Sequence, residues 1–181
     1  MKTTSIISTL TMALIMLISV NMNAQDFAPL DKSPMDAASY PSSYRISDKL
    51  VKITYGRPQL KGRALAKLAP NDKVWRTGAN EAPEITFYKD VKFGGKDVKA
   101  GTYTLFTIPG TTEWTVILST AKNVWGSYFY NETEDVVRVT APVKKSEKTI
   151  EIFSITFKGE DNNATMYLGW GDIIIPVPVK G

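Results

Sequence analysis

Apolar and polar positions alternate in short runs along most of this chain. In "DKLVKITYGRP", Val51, Ile53 and Tyr55 fall on one side and Lys52 and Thr54 on the other, the period-two pattern of a strand with one buried face. Gly56 and Pro58 end it. "GRALAKLAPND" has no β-branched residue before Pro70 and predicts a turn or two of helix. From there strand patterns follow at short spacing: "EITFYKDVKF", "AGTYTLFTIPG", "TEWTVILST", the aromatic-rich "NVWGSYFYN", "EDVVRVTAPV", "KTIEIFSITFKG", "NATMYLGWG" and "DIIIPVPV". Gly, Pro and Thr-Thr turns separate them, which predicts a meander of antiparallel strands. The fold class expected is all-β, an antiparallel β-sandwich of about nine strands with one short helix. Pro176 and Pro178 cannot donate to a ladder, so the last run is expected to border a sheet.

The N-terminus departs from this pattern. Lys2 precedes the apolar run "IISTLTMALIMLISV", and a short polar stretch closes on Ala24, as in a secretory signal peptide over residues 1–24. The run is short of the roughly 20 apolar residues of a spanning helix. Cleavage is expected between Ala24 and Gln25, giving a periplasmic or secreted protein with no membrane insertion afterwards. Residues 25–43 hold three Pro and four Ser without a sustained period and read as an extended arm or linker, so the sandwich domain is expected over 44–181.

Composition then narrows the chemistry. With no Cys, an exported chain has no disulfide or cysteine-linked lipid and must be held by a conventional core. With no His as well, Ser-His-Asp and Cys-His catalysis and the usual zinc sites are excluded. Carboxylates, Lys and Arg, hydroxyls and oxygen-ligated cations remain. No cofactor and no metal is expected. Without Lys2 the net charge falls from +4 to +3, and no nucleic-acid partner is expected. The charge is uneven, however: Tyr44 to Arg76 holds nine cations against two acids. Such a cluster either forms an anion-attracting patch or is scattered over separate faces.

Two stretches carry the candidate chemistry. In "YGRPQLKGR", Arg57, Lys61 and Arg63 sit among turn residues, where a loop presents paired donors to a carboxylate, phosphate or sulfate. The alternative is that they pair with acids of neighbouring loops. In "KVWRTGANEAPEITF", Trp75 is read as a core anchor and Gly78 as a sharp turn. Arg76, Thr77, Asn80 and Glu81 then converge on a ligand, or else Arg76 pairs with Glu81 or Glu84 and Asn80 bonds its own backbone. Glu132, Glu134 and Asp135 match no calcium-loop spacing and read as a solvated acidic turn. Trp125, Tyr128, Phe129 and Tyr130 either stack on sugar rings or fill a core and its rim. "NET" and "NAT" match a glycosylation pattern that carries no weight after a bacterial export signal.

Together "YGRPQLKGR", "KVWRTGANEAPEITF", "KAGTYTLFTIPGTTEWTVIL" and "WGSYFYNETEDVVRV" resemble a family of secreted bacterial proteins known as domain of unknown function 2911, over about Ile46 to Val179. The resemblance implies a periplasmic or secreted β-rich domain and no particular activity. Pro83 stands where the family pattern "ANEA" leads to Thr, which removes one backbone donor beside Asn80 and Glu81.

The function expected is a binding or accessory module. Arg57, Arg63, Arg76, Asn80 and Glu81 would line a shallow pocket for a small polar or anionic ligand, glycan-derived ligands included. The alternatives are a metal-independent hydrolase using Glu81 and Glu84 beside Arg76, and a structural domain of a cell-surface assembly.

Overall fold

Alternation this regular is satisfied by pairing strands and burying one face of each sheet, and the computed structural model, which describes residues 26–181, does so with two sheets. The strands are β1 (Met35–Tyr40), β2 (Val51–Gly56), β3 (Glu84–Phe87), β4 (Val91–Phe93), β5 (Lys96–Val98), β6 (Gly101–Ile108), β7 (Glu113–Ser119), β8 (Asp135–Pro142), β9 (Lys144–Glu160) and β10 (Asn163–Lys180). One α-helical turn, α1 (Leu65–Leu68), precedes Pro70. The first sheet runs β1-β2-β3-β6-β7-β8 and the second β5-β4-β10-β9, with every pairing antiparallel. The chain is thus mostly strand and sandwich-like, as its pattern predicts. The expected signal segment lies outside the described residues.

Four details differ from the sequence reading. Met35–Tyr40, inside the expected arm, pairs with β2 along its whole length and is the edge strand of the first sheet. Its Ala and Ser residues are too small to write a hydrophobic period, and only Tyr40 is buried. "EITFYKDVKF" is two strands, because the chain leaves the first sheet after Phe87 and enters the second at Val91. The β4–β5 hairpin therefore interrupts the meander. It turns on Gly94 and Gly95, both at positive φ, and any side chain at Gly94 would run into Val139 of β8.

"NVWGSYFYN" is not a strand but a covering loop. The two C-terminal runs form the single strand β10, which lies between β4 and β9 rather than at an edge. Pairing with β9 ends at Ile174, and the β4 side is joined by Val179 and by the Pro178 carbonyl, which accepts from Gly94 N–H at 2.8 Å, so Pro176 and Pro178 fall where no neighbour calls on their missing N–H. The missing donors cost nothing there, while Ile175, Val177 and Val179 still alternate into the core.

The inner faces meet in one apolar cluster, with Val51, Ile53, Ile85, Phe87, Leu105, Val116 and Leu118 from the first sheet and Phe153, Met166, Leu168 and Val177 from the second. Trp75 enters it from a loop, stacked on Trp170 at 5.4 Å and edge-on to Phe153 and Trp114 at 5.3 and 6.0 Å. Tyr55 ties the sheets together: its hydroxyl donates to the Ile155 carbonyl at 3.3 Å and accepts from the Ile155 N–H at 2.9 Å. Burial pushes its ionisation up. A smaller cluster, Ala82, Phe106 and Ile117, sits apart from this core under Val74, Val124 and Tyr130. Because Phe106 and Ile117 alternate with core-facing Leu105 and Leu118, this second cluster lies on the outer face of the first sheet, and the loops that cover it carry the candidate site.

Candidate functional site

Residues 73–83 run along the end of β6. Trp75 and Thr107 exchange both backbone hydrogen bonds, at 2.7 and 3.0 Å, and Pro83 accepts from the Leu105 N–H at 2.9 Å. That pairing sends Trp75 into the core and Arg76 to the opposite side. The chain then bends with Thr77 and Asn80 at φ of 58° and 62°, a costly conformation for β-branched Thr. Thr77 is completely buried and holds the bend from inside, its hydroxyl 3.1 Å from that of Thr107 and 3.3 Å from the Trp75 carbonyl. Thr77 was expected at the ligand surface, but its side chain is enclosed in the bend and engaged there. Ala79 crosses so close to the end of β2 that any side chain at Gly56 would strike its carbonyl.

The covering loop 120–131 is tied to this bend. Ala82 N–H donates to the Val124 carbonyl at 2.9 Å and Gly126 N–H to the Asn80 carbonyl at 3.0 Å, making Glu81 and Trp125 an antiparallel pair. Those bonds flank the pair rather than join it, so it is of the narrow kind, with Cβ atoms about 4.5–5.5 Å apart and side chains on the same face. Ala82 and Val124 point down onto Phe106 and Ile117, and Glu81 and Trp125 point out to solvent. Two more bonds hold the loops together: Ser127 Oγ donates to the Val74 carbonyl at 3.1 Å, and Asn123 N–H to Glu84 Oε1 at 3.3 Å.

Among the described residues, Arg76, Asn80 and Glu81 make no side-chain hydrogen bond or ion pair, and the Nε of half-buried Arg76 is sealed from solvent without a partner. The pairing of Arg76 with Glu81 or Glu84 is not formed. Glu81 and Glu84 share the wall of a cavity of about 110 Å³ with Met35, Thr54, Tyr55, Gly56, Ala82 and Asn123. Among the described residues, neither Lys nor Arg lines it.

"YGRPQLKGR" is different. Arg57 donates to Asp36 Oδ2 at 2.9 Å, Ser154 Oγ at 2.6 Å and the Phe153 carbonyl at 3.1 Å. Arg63 donates to the Leu60 and Gln59 carbonyls at 2.9 and 2.7 Å. Lys61 is exposed, and only its backbone N–H is fixed, by Glu151 Oε1 at 2.6 Å. Hence the two guanidinium groups stitch loop 57–63 to itself, to β1 and to β9.

At the far end of the covering loop, Tyr130 packs on Phe106 and donates to Asp135 Oδ2 at 2.6 Å. Arg138 also bonds Glu132, and its Nε lies 3.1 Å from Asp135 Oδ2, although that N–H is not aimed at the oxygen. Asp135 Oδ1 is buried without a partner among the described residues. Burial pushes the Asp135 carboxyl above its ordinary range despite the Tyr130 bond and Arg138, and it raises the Tyr130 hydroxyl too. Within "NETED", Asp135 is thus a buried anchor for the loop, while Asn131, Glu132 and Thr133 stay exposed as in a solvated turn. A roomier cavity of about 360 Å³ lies at the β4–β5 hairpin, but its Lys92 and Lys99 already pair with Asp97 and Asp90 at 2.5 and 2.7 Å.

The family model described as protein of unknown function (DUF2911) matches residues 33–179. The chain belongs to this family. The DUF2911 match starts at residue 33, ahead of β1, in keeping with β1 as part of the sandwich. No curated protein and no solved structure matches the chain. The sequence singled out Trp125 but did not connect it to Glu81, and it missed Thr54 and Asn123. Their only common signal is contact across distant strands and loops, which no local pattern carries.

Proposed function

We propose that this DUF2911 protein is an exported binding module that takes a small polar ligand on the paired loops 76–82 and 122–126. The observation that carries the reading is the Glu81–Trp125 pair: a carboxylate and an indole, both exposed, on a ribbon anchored in the core by Trp75. Side chains with no internal partner, on a backbone held by the scaffold, are what a binding surface needs. Arg76 and Asn80 flank the pair in sequence, and Arg76 can serve an anionic group. Arg57 and Arg63 take no part in this reading, because their donors are already engaged.

The test is a thermal-shift and calorimetric screen of small polar and anionic compounds on the mature protein, whose N-terminus mass spectrometry should place at Gln25. Hits are expected to weaken at least tenfold in Glu81→Ala and several-fold in Arg76→Ala. Hits indifferent to both substitutions, or a mature chain that retains Met1, would each overturn the corresponding half of the reading.

One observation favours a second reading, a carboxylate-dependent hydrolase: Glu81 and Glu84 line the same cavity, and glycoside hydrolysis needs two carboxyl groups flanking one bond. Turnover of a glycoside that Glu84→Gln abolishes while binding survives would establish it.

A further inference from the structure

The proposed site has a shape that selects a class of ligand. Its cavity has a volume of about 110 Å³. Pockets that enclose a small molecule whole run to roughly 300–1,000 Å³. A ligand here must lie mainly outside the cavity, on what borders it. Glu81 is a wall of the cavity and the cross-strand partner of Trp125, a residue 60 % exposed. The other tryptophans, Trp75, Trp114 and Trp170, are all buried.

We infer that the ribbon is a saccharide platform, an inference that rests on the binding reading above. A pyranose ring has an apolar C–H face and an edge of hydroxyl groups. The Trp125 indole offers a flat partner for the face, and Glu81, beside it, accepts hydrogen bonds from the edge. A hydroxymethyl or amino substituent of that ring enters the cavity, where the charged groups are Glu81 and Glu84. Carboxylate walls with no lining Lys or Arg select ligands that donate hydrogen bonds and reject ligands that carry a carboxylate at that position. The class is therefore neutral or amino-bearing pyranose oligosaccharides, not uronates, which narrows the anionic option left by the charge distribution of the sequence.

The experiment exploits Trp125 as the exposed member of the four tryptophans. The mature protein is titrated with glucosamine, N-acetylglucosamine, glucose and galacturonate hexasaccharides while tryptophan emission and acrylamide quenching are followed. Calorimetry repeats the titrations on Trp125→Ala, Trp125→Phe and Glu81→Gln, each first shown to melt with the wild type. At least one of the first three sugars is expected to bind and shield the indole, with affinity lowered tenfold or more in Trp125→Ala, less in Trp125→Phe and several-fold in Glu81→Gln. The uronate is expected not to bind.

Binding that is unaltered in both Trp125→Ala and Glu81→Gln overturns the inference. So does preferential uronate binding, or shielding of the indole by protein concentration alone, which would make it a contact between copies. If no sugar binds while a non-sugar hit of the broader screen depends on Glu81, the saccharide inference falls and the binding reading stands. If no compound of either set depends on Glu81, both fall.

Discussion

Loops 57–63 and 76–81 are similar as sequence, each a short run of Arg, Gly and polar residues beside a strand, yet the fold treats them in opposite ways. In the first, the guanidinium groups of Arg57 and Arg63 reach backbone carbonyls, a serine and Asp36, and together tie β1, the loop and β9. In the second, the apolar residues make the tie. Trp75 enters the core, Thr77 is buried, and Ala82 packs on Phe106, while Arg76, Asn80 and Glu81 have no side-chain partner among the described residues. A polar loop stitched by its polar groups is structure. A polar loop held by its apolar groups has its polar chemistry free.

The comparison breaks most visibly at Trp75. Trp75→Ala removes the aromatic packing with Trp114, Phe153 and Trp170 and leaves a cavity between the sheets, so denaturant melts should show a loss of about 3–5 kcal/mol. A loss under about 1 kcal/mol would mean that the second loop is held by something other than its anchor.

The contrast between the two arginines is next in size. Arg57→Ala leaves Asp36, Ser154 and the Phe153 carbonyl without their donor, and stability is expected to fall by about 1–2 kcal/mol, partly screened because the site is half open. Arg76→Ala and Glu81→Ala are each expected to stay within about 0.5 kcal/mol, with the double variant additive, since neither strands a partner. Equal losses at Arg57 and Arg76, or strong non-additivity between Arg76 and Glu81, would erase the distinction.

The smallest effect concerns the anchor of the covering loop. Asp135 is held above its ordinary carboxyl range by burial, so the folded chain retains this proton when the unfolded chain has lost it. Its contribution is full below the unfolded value and is lost as pH rises through the folded one. Asp135→Asn, which keeps an acceptor for Tyr130, should therefore gain on the wild type as urea melts move from about pH 4 towards neutrality. A variant that instead loses ground with rising pH would show that Arg138 outweighs burial.

Much of the fold was legible because period two is written locally. Val51, Ile53 and Tyr55, or Ile175, Val177 and Val179, alternate whatever they later pack against. The helical turn before Pro70 and the Gly94–Gly95 hairpin were equally local. β1 escaped because Ala37, Ala38 and Ser39 carry no hydrophobic signal, and "NVWGSYFYN" misled because Val124 and Tyr130 cover a sheet and its other aromatics are exposed, so none pairs within one. At the site, Trp75 was readable as an anchor from its size and apolarity. Thr77 was not readable as buried, because a hydroxyl says nothing of whether Thr107 lies opposite it.

By itself, then, the sequence determined the class of structure and the absence of histidine and cysteine chemistry, and it singled out the stretch around Trp75 as a candidate site. Only the tertiary structure decided which polar groups in that stretch are free. Arg57 and Arg76 are identical residues, and their difference lies in acceptors far away in the chain: Phe153 and Ser154 approach the first, and none among the described residues approaches the second. Glu81 and Trp125, 44 positions apart, became neighbours through two backbone hydrogen bonds. Hydrophobic alternation is a property of one segment and can be read from it. Hydrogen-bond satisfaction is a property of pairs, and folding chooses the partners.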